Sequence, residues 1–182
     1  MYDLDEHIRM GATIDSMKKL LPVFSKTGTV TAGNSSGITD GAAATVLVSE
    51  RKLKEWGLKP MAKIIGYTSV GVDPSIMGIG PVPAVRKLLG RINWKLEDFA
   101  LIELNEAFAA QVLACDRELK FDRSKLNVHG GAISLGHPIG CSGTRVLVTL
   151  LHALKQHGGE RGLATLCVSG GMGVAMAVEM VG

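Results

Sequence analysis

Beyond residue 42 the chain alternates short apolar runs with segments of mixed polarity. AAATVLVSE (42–50) is a short, largely apolar run and reads as a buried strand, and ERKLKEWG reads as a short helix ended by Gly57. MAKIIGYTSVG (61–71) predicts a second strand, and MGIGPVP is a loop feeding a helix from Pro83, since proline suits a helix's first turn. A strand follows at 99–104, then a helix from Glu106 to about Leu119, a strand or loop at 126–131, and a helix from Ser142 to about Gln156. Two apolar runs, 163–169 and 174–181, are joined by GGMG and read as a terminal hairpin. Strands alternating with helices predict a layered α/β domain around a mixed sheet. The strand at 42–50 precedes this regular domain and has no evident partner in the chain.

Upstream, residues 1–38 are loop-rich, with a helix signal in IDSMKKLLPVF and turn formers clustered in TAGNSSGITDG (31–41). The first residues, MYDLDEHIRMG, are acidic and poor in core residues; they resemble neither a secretory signal nor a basic transit peptide.

Composition narrows the classes. At 182 residues, 46% hydrophobic and 20% charged, the chain has a soluble globular balance and length for one good core. Aromatics are only 4% while glycines number 23, so small residues do much of the packing. A net charge of +3, evenly spread, argues against nucleic acid or a membrane surface as partner, and no apolar stretch reaches spanning length. Cys115, Cys141 and Cys167 form no CxxC pair, and their odd number suits a reduced compartment, taken as cytoplasmic, better than a disulfide framework.

Three stretches carry chemistry. NVHGGAISLGHPIGCSG (127–143) sets His137 among five glycines. Glycine lets backbone N–H groups approach an anion, and a histidine held there can move protons near neutral pH. ELNEAFAAQ (103–111) puts Asn105 where a strand gives way to a helix, as helix cap or as a group at the sheet's carboxyl edge; Glu106 is either a helix-dipole partner or a site residue. Cys167 lies in an apolar strand close to GGMG, as a buried small hydrophobe or as a proton-exchanging thiol. His129 reads as a packing residue or one that supports the site from behind, and Cys115 and Cys141 as non-catalytic. His129, His137, Cys141 and Cys167 lack paired-ligand spacing, so no metal site is expected.

In this order NEAFA, GGAISLGHPIGCSG and LCVSGGMG, with GTVTAGNSSGITDGAAA and MGIGPVPA upstream, resemble the thiolases along essentially the whole chain. The similarity is to the C-terminal half of an acetyl-CoA acetyltransferase or 3-ketoacyl-CoA thiolase. It implies a thiolase-like α/β domain with a mixed five-stranded sheet flanked by helices at 61–182. Residues 1–38 would end a loop domain on the coenzyme A side, and 39–60 would be the last strand and helix of an N-terminal domain.

The roles below are those the resemblance implies. The family's nucleophilic cysteine matches none of the three here, so an N-terminal half, as a separate chain or a missing segment, would supply it. His137 would take that cysteine's proton, and Cys167 would be the general base and acid at the α-carbon. Asn105 would hold a water that, with His137, stabilises the thioester oxyanion. The turn at Ser169 and Gly170 would serve a second oxyanion hole; Ser169 stands where the family commonly has glycine, a substitution that a positive φ would strain. Ser36 and Ala32 match positions touching pantetheine, and Phe24, Met77 and Phe108 match those lining the acyl pocket. Acetyl-CoA, acetoacetyl-CoA or longer 3-ketoacyl-CoA would be substrates of a homo-oligomer with no separate cofactor. The competing readings are a non-catalytic coenzyme A-binding or assembly protein of the same fold, and a β-ketoacyl synthase. The synthases typically use a second histidine instead of the Asn105 and Cys167 pairing.

Overall fold

A computed structural model describes residues 3–5 and 7–181. Its centre is one four-stranded sheet in the order β1-β4-β3-β2, with β1 Ala62–Gly71, β2 Leu101–Leu104, β3 Arg161–Val168 and β4 Met172–Met180. β1 and β3 both run antiparallel to β4, while β2 runs parallel to β3, Leu101 opposite Gly162 and Leu104 opposite Thr165. The mixed sheet is as expected, with four strands instead of five. Segment 126–131 is the loop of its two readings, with a single bridge from Leu126 to Ile102. The side chain of Asn127 does a strand's work: its amide both donates to Leu104 O and accepts from Leu104 N, each at 2.9 Å.

Strand alternation sends side chains into two layers. Ile102, Leu104, Leu163, Ala175 and Ala177 pack with Val82, Val85 and Leu88 of helix α3 (Pro81–Ile92) and Cys115 of helix α4 (Ala109–Leu119). Leu101, Ala164 and Val178 face Val146, Leu150, Ala153 and Leu154 of helix α6 (Ile139–His157). Helices therefore cover both faces, which a partly parallel sheet requires. The terminal hairpin forms as read, and Gly170 and Gly171 carry its turn at φ of 85° and 90°.

Other elements differ at their ends or entirely. Helix α1 is Ile14–Lys18 and α2 is Glu50–Trp56, the latter closed by Gly57 in the left-handed conformation as its glycine indicated. α3 begins at Pro81, two residues before the expected Pro83, and α6 begins at Ile139, three before Ser142. α4 starts only at Ala109, because Phe108, extended at φ −148° and ψ 142°, takes the cap position. The buried strand expected at 42–50 is not formed: residues 42–49 belong to no described strand and Glu50 opens α2, with Val46 89% and Leu47 74% exposed. A strand needs a neighbour for its backbone groups, and none of the described strands pairs with 42–50.

Candidate active site

β2 and β3 are parallel, so their carboxyl ends lie side by side. Asn105 follows β2 directly, and its N–H donates to Thr165 O at 3.1 Å, two residues before Cys167 on β3. Asn105 is fully buried and caps no helix. Its Nδ2 lies 3.3 Å from His137 Nε2, which joins two of the three residues expected to carry the chemistry. Cys167 sits at the same end of the sheet; no side-chain hydrogen bond joins it to the other two among the described residues.

The histidine loop is held from several sides. Helix α5 (Ala132–Leu135) ends at Gly136, whose φ of 92° turns the chain into His137. His137 N donates to Gly37 O at 2.8 Å, and its Nδ1 lies 2.6 Å from Ser142 Oγ in the first turn of α6. Glu106 braces the loop from below: Oε2 accepts from Ile133 N at 3.1 Å, at the start of α5, and Oε1 from Asn127 Nδ2 at 3.2 Å. Of its two readings Glu106 is nearer the first, a carboxylate at a helix N-terminus, though at that of α5 and not of the helix that follows it. A Cβ on Gly131 would strike this carboxylate, so glycine there permits the brace.

Behind Asn105 lies a pair that the sequence did not single out. Glu103, 2% exposed on β2, has Oε2 3.5 Å from Arg145 Nη1 on α6, and Arg145 Nη2 reaches Asn105 Oδ1 at 3.5 Å. Burial, offset in part by Arg145, pushes Glu103 up to about 7. Burial, and then the charge of Arg145, hold His137 below its ordinary range, so the imidazole is neutral at pH 7. Burial pushes the Cys167 thiol up, and Cys115 up to about 11.

The residues expected to touch substrate fall into two groups. Ser36 donates through both its N–H and its hydroxyl to Ala107 O, each at 3.1 Å, Ser35 bridges to Phe108, and the rings of Phe24 and Phe108 meet edge to face at 5.6 Å. The strip 24–37 therefore lies along the segment that follows Asn105, and Ala32 is exposed in the 3₁₀ turn Ala32–Asn34 of that strip. Met77 is half-buried in the 3₁₀ segment Pro74–Ile79, against α4. Ser169 is exposed in the hairpin turn without a positive φ; Gly170 and Gly171 take those conformations, so the strain feared for Ser169 does not arise. His129 pairs with His157, ring centres 5.5 Å apart.

The chain matches the thiolase C-terminal domain over residues 58–180 and the thiolase N-terminal domain over residues 1–51. It belongs to the thiolase family. The acetyl-CoA acetyltransferase of Shinella zoogloeoides is 57% identical over 97% of this chain, and that of Chromobacterium violaceum 58% over 98%, each alignment covering 45% of the relative. Among solved structures, the Bacillus anthracis acetyl-CoA acetyltransferase superposes with a TM-score of 0.93 at 56% identity, over 97% of this chain and 45% of the other. Human mitochondrial 3-ketoacyl-CoA thiolase in complex with CoA gives 0.90 at 46%, over 98% and 45%. The chain thus spans a little under half the length of these thiolases. No helix among the described residues is long and apolar enough to cross a membrane.

Proposed function

We propose that this chain is the C-terminal portion of a thiolase of the acetyl-CoA acetyltransferase type, catalysing reversible condensation of two acetyl-CoA, or thiolysis of 3-ketoacyl-CoA. The observation that carries the reading is the contact of Asn105 with His137 at the carboxyl end of β2. His137, neutral and held on its loop, takes the proton of a nucleophilic cysteine outside these 182 residues. The thiolate attacks the thioester carbonyl; coenzyme A leaves as its thiol, taking the proton of Cys167, and an acetyl-enzyme remains while His137 Nε2 keeps the nucleophile's proton. Cys167, now a thiolate, removes the α-proton of a second acetyl-CoA, and the enolate oxygen is stabilised by the Nε2–H of the protonated His137 and by a water held on Asn105. His137 returns that proton when the nucleophilic cysteine is expelled. The enolate carbon attacks the acetyl-enzyme and expels the cysteine thiolate. In thiolysis the steps reverse, and Cys167 returns the proton to the enolate; its raised pKa keeps the thiol protonated at rest, so the proton is there to give.

The turn Ser169–Gly170 contributes an N–H to the oxyanion of the acetyl-enzyme step. Ser36 and Ala32 lie along pantetheine, while Phe24, Phe108 and Met77 line the acyl end, and the working enzyme is a cytoplasmic homo-oligomer. In domain terms, 1–38 ends the loop domain, 39–60 belongs to the N-terminal domain, and 61–182 is the C-terminal domain. The test is complementation. An N-terminal half carrying the nucleophilic cysteine, supplied from the Shinella relative, should restore coenzyme A-dependent loss of acetoacetyl-CoA absorbance, and His137→Ala should abolish it. The chain by itself should form no acetyl-enzyme with acetyl-CoA, read by intact mass. A folded complex that binds acetyl-CoA tightly without turnover would instead support a non-catalytic coenzyme A-binding role.

A further inference from the structure

The pair Glu103–Arg145 has no part in the steps above, yet it is buried directly behind Asn105. Replacing a buried ion pair by well-packed apolar groups is often neutral or stabilising, so stability alone is a weak reason for one here. Its neighbours give a better reason. A guanidinium only donates hydrogen bonds, so the end of Asn105 that faces Arg145 must be its oxygen. The other end, the amide NH₂, then faces His137 Nε2, which must accept and so carries no proton. The ring proton lies on Nδ1, directed at Ser142 Oγ 2.6 Å away, and the Ser142 hydroxyl donates onward to Pro138 O at 3.1 Å. Ser142 could turn its hydroxyl either way; Arg145 has no such freedom, so the guanidinium decides the direction of the whole chain of bonds.

We propose that Arg145, anchored by Glu103, is a positioning residue that orients the Asn105 amide and thereby holds His137 as the Nδ1–H tautomer, with Nε2 unprotonated and accepting from that amide. That nitrogen is the one facing the buried amide at the end of the sheet. Its use as a base rests on the thiolase reading above, whereas the tautomer does not. Arg145 Nε and Nη1 and Glu103 Oε2 have no hydrogen-bond partner among the described residues, so the bond from Nη2 to Asn105 is the guanidinium's one directed interaction.

The experiment is nitrogen NMR of the histidine rings in the 182-residue chain at pH 8, with His137 assigned from the peaks lost in His137→Gln. The wild type should show a protonated Nδ1 and an unprotonated Nε2. Arg145→Met frees the amide to rotate and should move the tautomer ratio toward the Nε2–H form by about tenfold, the worth of one charge-assisted bond. Asn105→Asp, near in shape, places oxygen at both ends and should force Nε2–H outright. A folded Arg145→Met chain that keeps the wild-type ratio overturns the proposal; should that variant not fold, an Nε2 that stays unprotonated in Asn105→Asp overturns it. No turnover is measured, so failure of complementation and failure of this inference are separate results.

Discussion

Glu103 should make stability fall as pH rises through neutrality. Its carboxyl is 2% exposed, with Arg145 Nη1 3.5 Å from Oε2 and no hydrogen bond to that oxygen. Burial outweighs the attraction of Arg145, and the group goes from 4.5 to about 7 on folding. A folded value above the unfolded one means that the native state holds the proton longer. The contribution to stability is therefore complete below about pH 4.5 and lost as pH rises through 7. A shift of that size is worth about 3 kcal/mol in all, of which about 2–3 kcal/mol disappears between pH 5 and pH 8. The assay is urea unfolding of the wild type and of Glu103→Gln at several pH values in that window. Glutamine does not titrate, so the difference between the two proteins isolates Glu103 from the histidines common to both. It also leaves Arg145 without a counter-charge, which offsets the two curves at pH 8, and the slope is therefore the quantity to read. The wild type should lose about 2–3 kcal/mol relative to the variant from pH 5 to pH 8. Parallel curves would refute the reasoning, because they would mean that Glu103 ionises in the folded chain as it does in water.

Three further outcomes are expected. Glu106→Ala removes the acceptors of Ile133 N and Asn127 Nδ2 and should raise the opening of the α5 loop by about 2–3 kcal/mol, read as faster amide exchange at Ile133; unchanged protection would show that the brace carries no weight. Mass spectrometry of briefly alkylated native chain should find Cys141, half-buried, modified before Cys115 and Cys167, whose buried thiols are held protonated, and early labelling of Cys115 would contradict this. Gly173→Ala would drive a Cβ into the backbone of Gly80, where β4 passes the start of α3, and should cost about 2–3 kcal/mol in thermal or urea unfolding; a variant as stable as the wild type would show that this backbone approach can relax.

Local pattern determined much of the domain. The apolar runs at 61–71, 163–169 and 174–181 formed strands close to their expected limits, and Gly57 closed α2. These features depend on side-chain period and backbone freedom, which are properties of a few consecutive residues. The glycine-bound His137 and the NEAFA and GGMG stretches marked the family from the sequence alone. Helix starts were less legible: Phe108 and Pro138 occupy cap positions without any side-chain capping bond, so the usual signals were absent. Segment 42–50 had a strand's composition, but composition does not supply a neighbour, and without one its backbone groups stay unpaired.

The site's support was decided by tertiary structure. Asn105 could have capped a helix, and Glu106 could have served a helix dipole; packing assigned one to His137 and the other to α5, 27 residues ahead of it in sequence at Ile133. Arg145 lies 40 residues from Asn105 and 42 from Glu103, on a helix whose period shows only that it is partly buried. Nothing local distinguishes it from any other arginine of an amphipathic helix. Its meaning comes from facing a buried amide that can accept at one end only, and that direction exists only once β2 and α6 are packed together.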